Sequence, residues 1–507
     1  MFKQKIKLSS YAAIVSIINL ILYHFAFYKF IFKNIDTQSF NGIVLILSLT
    51  VTAFVLNALV FYIGLFLLRV VGKWLLVLFF NINAIAIYFI NTYGIIIDKS
   101  MIGNVINTNY EESISFFSLT LVVYLFFLGI IPSWIILKFK VLNVKFKRFI
   151  AQVSLALIFI ASLSYANASN WLWIDKHSKQ LGALVMPWSY IVNTSRFYIH
   201  QNKKNQKDIL LPNAIVKDST KSVVILVIGE SARRANFSLY GYHKNTNPLL
   251  SKLNNLYAYP AESSATYTTA GVKSILDHKK SNDLYEILPN YLFRNGIDVI
   301  WRTTNWGEPN VNIKNYSNKQ DLGKICPNDI SGYDEMLLCG LKDRILKSDF
   351  NKILIVLHTS TSHGPTYSKK YPQRFNQFQP TCESVELSKC TQEELINAYD
   401  NTILYTDYIL SELIKDLTQL KDYNSTMLFV SDHGESLGEK NLYMHGLPIS
   451  IAPKEQFEIP FIVWTSNDSI KLKENKMLSQ YHVFHSVLDF LAIESPVYDA
   501  TMSVFKK

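Results

Sequence analysis

The sequence predicts an N-terminal domain of five membrane-spanning helices followed by an exported α/β domain. Three observations carry this. Long apolar stretches crowd the first third of the chain, all four cysteines lie beyond them, and the rest alternates short apolar runs with helical periodicity. The composition agrees, since 49% of the 507 residues are hydrophobic, high for a water-soluble enzyme.

The apolar stretches fall at roughly 10–32, 43–68, 75–95, 117–137 and 149–166, each close to the ~20 residues that cross a bilayer. The first is too long for a cleaved signal peptide and has no small-residue cleavage pattern after it. Basic residues set the orientation. Lys3, Lys5 and Lys7 precede the first stretch, Arg69 and Lys73 follow the second, and KFKVLNVKFKR follows the fourth, so these segments are expected in the cytoplasm. Five spans starting inside place everything after about residue 167 outside.

The cysteines suit that address. Cys326 with Cys339 and Cys382 with Cys390 form two local pairs in the exported part, where disulfides are the natural expectation, although four cysteines permit three connectivities. The formal charge of +11 is concentrated in the cytoplasmic loops, so topology accounts for it and nucleic acid is not an expected partner. Domain limits follow as 1–167 for the spans, 168–215 for a linker and 216–507 for the outer domain. In the linker, Trp171, Trp173, Trp188 and Tyr190 suit the headgroup level, and a Lys-rich end hands over to water.

Beyond Pro212 the runs SVVILVIGES, IDVIWRTTN, KILIVLHTSTSH and TMLFVSDHGES predict strands buried on both faces of a mostly parallel sheet. Ligands of open α/β sheets bind beyond the carboxyl ends of the strands. Those ends carry Glu230, His358 with His363, and Asp432 with His433. Mixed oxygen and nitrogen donors suit Zn²⁺, and a buried acid is costly unless compensated. His445 and His363 lie in Gly/Pro-rich loops, ready to bind phosphate oxygens or protonate a leaving group beside a metal. AESSATYTTAGVKSIL offers Thr266, Thr268 and Thr269 before a helix expected to begin near Ala270, where an anion or a phosphoryl group would meet a positive dipole end. N-capping serves each threonine equally well on residue type alone.

The blocks GESARRANFSLYGYHKNTNP, SDHGESLGEKNLYMHGLPISIAPKEQ and HTSTSHGP with the following INAYDN resemble the phosphoethanolamine transferases of Gram-negative envelopes. These are inner-membrane enzymes of the alkaline phosphatase superfamily. The resemblance implies an alkaline phosphatase/sulfatase-like fold for the outer domain and a periplasmic address for it. By position it puts the zinc site on Glu230, Asp432 and His433, with Thr268 as nucleophile and metal-facing hydroxyl and Thr266 as a further hydroxyl of that motif. It puts His363 and His445 on substrate-phosphate, second-metal or proton-transfer roles, His358 on a further histidine of the substrate site, and Asn104, Thr108 and Glu112 on contacts to the lipid donor. One tightly bound Zn²⁺ is implied and a second is left open.

The implied reaction moves phosphoethanolamine from phosphatidylethanolamine to Thr268 and then to lipid A or core lipopolysaccharide, in a monomer among membrane lipids. The added ammonium would weaken binding of cationic peptides. A phosphoglycerol transferase or sulfatase-like hydrolase of the same superfamily is the nearest rival, and a non-enzymatic channel or sensor is a rival of another class. Two departures stand out. Serines, about Ser264 and Ser274, replace cysteines that flank the nucleophile in the family, and TTNWGEPNV replaces a loop with a lysine. Glu308 and Trp306 in that loop are candidates to hold the ammonium group.

Overall fold

The computed structural model describes residues 5–108, 110–204, 208–474 and 477–506. The chain divides into two compact units, Met1–His200 and Gln201–Lys507.

In the first unit, four of the described helices are long and apolar enough to cross a membrane: α3 (Phe40–Leu68), α4 (Val70–Tyr93), α5 (Leu119–Leu137) and α6 (Phe146–Ala166). The expected first span is a bent pair instead, α1 (Leu8–Tyr23) and α2 (Phe25–Asn34), angled by 68°. The break falls at His24, buried, with non-helical backbone and Nδ1 3.1 Å from the Asn19 carbonyl oxygen. Pro132 shapes α5. Lacking an N–H, it cannot bond the Leu128 carbonyl, a π-helical turn occupies Leu125–Ile130, and the Tyr23 hydroxyl donates to the Leu128 oxygen instead.

Trp188 and Tyr190 depart from the expected headgroup position. They open α7 (Trp188–Lys204) and turn inward: the Trp188 indole donates to Asn57 and the Tyr190 hydroxyl donates to Asn83 at 3.0 Å. Asn83 in turn donates to Asn19 at 2.9 Å, and Asn19 to the Met186 carbonyl at 2.9 Å. Polar partners in the spans pull amphipathic rings into the bundle, where an unpaired amide would be costly.

The second unit is built on an eight-stranded sheet. Its strands, in chain order, are β1 (Ser222–Gly229), β2 (Leu256–Glu262), β3 (Asp298–Thr303), β4 (Asn315–Ser317), β5 (Lys352–His358), β6 (Asn424–Ser431), β7 (Glu458–Thr465) and β8 (Leu478–Ser479), and they lie in the order β8-β2-β7-β6-β1-β5-β3-β4. The central strands are parallel, and β1 is buried along its whole length, as its unbroken apolar run requires. The sheet is nevertheless mixed, because β7 runs antiparallel to both β6 and β2. Helices α8 (Thr268–Leu276) and α10 (His482–Phe490) contribute Val272, Ile275, Val483 and Val487 to the core under Val224, Leu226 and Ile228. The long helix α9 (Gln392–Thr418), opened by a capping box of Thr391 and Glu394, lies against β6. Both disulfides join local partners, Cys326–Cys339 and Cys382–Cys390.

Register aligns the strand ends. Gly229 pairs with Ser431, Ile228 with His358 and Thr303 with His358. The residues that follow, Glu230, Asp432 and the loops after Thr303 and His358, therefore leave the sheet at one edge.

Candidate active site

Glu230 follows β1 and is 1% exposed. Its Oε1 accepts from the Ser231 hydroxyl at 2.7 Å, and its Oε2 accepts from Asn305 Nδ2 at 2.7 Å and from the Thr268 hydroxyl at 3.4 Å. Ser231 takes the left-handed region with φ 52°, a costly conformation for a residue with a Cβ, and the Tyr399 hydroxyl holds it by its carbonyl at 2.6 Å.

Asp432 and His433 follow β6. Asp432 Oδ1 accepts the backbone N–H groups of Ser231 at 3.0 Å and His433 at 2.7 Å. His433 donates through Nδ1–H to the Gly434 carbonyl at 2.9 Å, which leaves the Nε2 lone pair facing inward. That nitrogen lies 3.5 Å from Glu230 Oε1, 3.3 Å from Asp432 Oδ2 and 3.3 Å from Thr268 Oγ1. Side-chain oxygens of Glu230, Asp432 and Thr268 thus all lie within 3.5 Å of His433 Nε2.

Thr268 is the first residue of α8, two positions earlier than the helix start read from the sequence. The helix docks on the Asp432 backbone at Gly271, where a Cβ would stand 2.2 Å from the Asp432 carbonyl oxygen, so only glycine lets α8 come this close. Gln480 braces the same turn, donating to the Ser431 and Asp432 carbonyls at 3.1 and 2.6 Å and accepting the Ser264 N–H at 3.0 Å.

His445 completes the cluster from the strap between β6 and β7. Ligand atoms of Glu230, His433 and His445 all lie within 4.8 Å of one another. His445 Nδ1 lies 3.2 Å from Glu435 Oε2, and the His363 ring packs beside it at 5.3 Å between centroids. Gln456, from the APKEQ block, holds the strap by donating to the Met444 carbonyl at 3.1 Å and the Ser436 hydroxyl at 2.9 Å. Thr266 does the same from below, its hydroxyl donating to the Leu447 carbonyl.

Two other expected residues of this unit, His358 and Glu308, stand behind the cluster. His358 is fully buried behind Asn305, 3.3 Å from its Nδ2, and Glu308 stands beyond it, with Oε2 3.7 Å from His358 Nδ1. In the first unit Thr108 donates to the Asn104 carbonyl at 2.7 Å, and the side chain of Glu112 lies outside the described residues. Reading by residue type missed Ser231, Asn305, Glu435, Gln456 and Gln480. Of these, Glu435 carried a signal as the second acid of SDHGES, and Ser231 and Gln456 lie in the GES and APKEQ blocks, whereas Gln480 lies in no quoted motif.

The electrostatics of the cluster call for a cation. Burial, with His445 adding to it, pushes His433 down to about 4, and burial lowers His445, so both imidazoles are neutral at pH 7. Burial opposes charge on Glu230, but His433, His363, His445 and the Ser231 hydroxyl hold its carboxyl below the usual range. Burial and the Glu230 charge push Asp432 well above that range, and burial raises Glu435 likewise. Among the described residues, Asp432 Oδ2 and Glu435 Oε1 are buried without a hydrogen-bond partner. Orphaned carboxylate oxygens beside neutral imidazoles are the donor set of a divalent metal, and they fit Zn²⁺.

Two family models match the chain, "Phosphoethanolamine transferase EptA/EptB" over residues 53–202 and "Sulfatase" over 222–493. The Helicobacter pylori phosphoethanolamine transferase EptA is 42% identical over 96% of this chain and 94% of its own. The Escherichia coli phosphatidylethanolamine transferase Mcr-1 is 30% identical over 79% of this chain and 80% of its own. The solved integral membrane lipooligosaccharide phosphoethanolamine transferase A of Neisseria meningitidis superposes with a TM-score of 0.88 at 26% identity, covering 99% of both chains. With apolar helices preceding a sulfatase-like domain, the protein is a multi-pass inner-membrane protein whose α/β domain is periplasmic. The chain belongs to the phosphoethanolamine transferase family of the alkaline phosphatase superfamily.

Proposed function

We propose that this enzyme transfers phosphoethanolamine from phosphatidylethanolamine to lipid A or core lipopolysaccharide through a covalent Thr268 intermediate. The observation that carries the reading is the Thr268 hydroxyl at a helix N-terminus, 3.3 Å from His433 and 3.4 Å from Glu230. The name of the Neisseria relative, a lipooligosaccharide phosphoethanolamine transferase, supports an envelope glycolipid as acceptor.

Glu230, Thr268, Asp432 and His433 would hold one Zn²⁺, whose Lewis acidity would lower the pKa of the threonine hydroxyl and offset charge on the phosphoryl group. Thr268 Oγ attacks phosphorus, the bond to the diacylglycerol oxygen breaks, and diacylglycerol leaves with a proton. The N-terminus of α8 favours the anionic phosphoryl group now on Thr268. An acceptor oxygen then attacks phosphorus and the Thr268 oxygen leaves. His445, held through Nδ1 by Glu435, keeps Nε2 for phosphate oxygens or proton transfer, and His363 shares that task. Asn104, Thr108 and Glu112 are assigned to the donor lipid. The transferred ammonium offsets phosphate charge on the acceptor, so cells lacking the enzyme should bind polymyxin more tightly.

The test is intact mass of the full-length protein after incubation with phosphatidylethanolamine and no acceptor. A phosphoethanolamine adduct mapping to Thr268 and missing in Thr268→Ala is expected. An adduct formed from phosphatidylglycerol instead would move the assignment to phosphoglycerol transfer, and no adduct from either lipid would remove the covalent step.

A further inference from the structure

The loop after β3, NWGE at 305–308, lies between the nucleophile and His358. Gly307 has φ +92°, and a Cβ on it would sit 3.2 Å from the Thr268 methyl and 3.4 Å from that of Thr269. The loop therefore passes directly over the start of α8. Its first residue, Asn305, has its amide fully engaged. Nδ2 donates to Glu230 Oε2 at 2.7 Å and to the Thr359 carbonyl at 2.8 Å, while Oδ1 accepts the Trp306 N–H at 2.9 Å. Thr303 clamps the backbone as well, its hydroxyl donating to the Asn305 carbonyl at 2.9 Å and accepting the Asn305 N–H at 3.0 Å.

Behind Asn305 stands a second row. His358 Nε2 is 3.3 Å from Asn305 Nδ2, and its Nδ1 is 3.7 Å from Glu308 Oε2. Glu308 Oε1 accepts from the Tyr316 hydroxyl at 2.5 Å. His358 is 0% exposed, so no substrate reaches its ring. It acts on the site only through the groups it touches. The carboxylate, imidazole, amide and Glu230 follow one another from the rim of the sheet to the metal-facing cluster.

We propose that Asn305, backed by His358 and Glu308, is the positioning residue that aims the Glu230 carboxylate at the metal. The inference rests on the reading of Glu230 as a metal ligand. Among the described residues, Asn305 supplies the one hydrogen bond to Glu230 Oε2 besides that of the distant Thr268 hydroxyl. Losing it frees a carboxylate rotation that metal binding must then freeze. The same arrangement gives Glu308 a task other than holding an ammonium group.

The experiment measures Zn²⁺ affinity of the full-length, detergent-solubilised protein by competition with a chromophoric chelator, together with kcat and donor KM. Asn305→Asp keeps the side-chain shape and the acceptor for the Trp306 N–H but replaces both donors, so it separates positioning from folding; Asn305→Ala is its companion. Both should weaken Zn²⁺ binding by about ten- to hundredfold and lower kcat with donor KM unchanged. Glu308→Gln should weaken Zn²⁺ binding by a smaller factor, again with donor KM unchanged. Unaltered Zn²⁺ affinity in folded Asn305→Asp overturns the proposal. So does a raised donor KM with unaltered Zn²⁺ affinity in Glu308→Gln, the signature of an ammonium-holding carboxylate. Glu230→Gln is the reference, and if it too leaves Zn²⁺ affinity untouched, the metal assignment itself falls and takes the inference with it.

Discussion

Residues 229–248 feed two buried carboxylate clusters that differ in one respect. Asp400, fully buried, accepts from Asn236 Nδ2 at 2.5 Å, the Tyr242 hydroxyl at 2.9 Å and Lys244 Nζ at 2.9 Å. Its charge is matched by a lysine, and both oxygens are occupied. Asp432 and Glu435, equally buried, each keep an oxygen without a hydrogen-bond partner among the described residues, and no lysine or arginine side chain among those residues donates to either carboxylate. The first arrangement is complete as protein alone. The second is complete only with something added, and burial of an unmatched carboxylate is the physical mark by which a reactive centre differs from a structural knot. A block of sequence can thus be half scaffold and half chemistry.

The largest expected effect separates the two centres outright. Asp432→Asn should lower transfer by roughly three orders of magnitude, while the metal-free protein melts no lower than wild type, because a poorly compensated buried acid has gone. Added Zn²⁺ should raise the wild-type Tm and leave that of the variant in place. A wild-type Tm insensitive to Zn²⁺ would break the comparison.

Asp400→Asn is the converse. Removing the charge leaves Lys244, which keeps its hydrogen bond to Asn397 Oδ1 at 2.6 Å, without its counter-ion and should cost about 3 kcal/mol in stability, read from denaturant midpoints, with Zn²⁺ affinity of the folded fraction unchanged. A loss of Zn²⁺ affinity would show that the two clusters are one system.

A pH-dependent effect comes from Asp407, buried on α9 and joined to the chain just past that block, since it accepts the N–H groups of Leu249 and Leu250 at 2.9 and 3.1 Å. Burial pushes its carboxyl up to about 6 from 3.8 despite those bonds. The folded state therefore holds the proton more tightly than the unfolded chain. Its contribution to stability is full below pH 3.8 and is lost as pH rises through about 6. Asp407→Asn should flatten the fall in stability between those limits by up to about 3 kcal/mol. An unchanged slope would place Asp407 among the fully compensated acids.

How much of this could be read beforehand follows from what each feature depends on. Unbroken apolar runs such as VVILVI announce buried strands, and an acid or histidine ending such a run is conspicuous, so Glu230, Asp432 and His433 stood out. Strand direction leaves no comparable trace. EIPFIVWT is as apolar as its parallel neighbours, and only the long strap carrying His445 returns it antiparallel. Asn305 and Gln480 look like ordinary loop amides until register brings β1, β3, β5 and β6 to a common end. In the membrane unit, residues 10–32 read as one span because hydropathy sees neither the local break at His24 nor the distant contact of Asn19 with the Met186 carbonyl. Trp188 and Tyr190 have interfacial chemistry, but Asn57 and Asn83 lie in distant stretches of chain.

The rule that a buried polar group needs a partner can be tested most finely within that membrane unit. Pro132 deprives the Leu128 carbonyl of its helical donor, and the Tyr23 hydroxyl takes the donor's place. Tyr23→Phe should cost about 1 kcal/mol, measured by unfolding in mixed micelles. Pro132→Ala restores an N–H four residues beyond Leu128, so in that background Tyr23→Phe should cost clearly less. The coupling between the two substitutions, rather than either alone, identifies the tyrosine as the replacement donor. Strict additivity would mean that Leu128 is satisfied some other way, and that the hydroxyl stabilises the bundle independently of the proline.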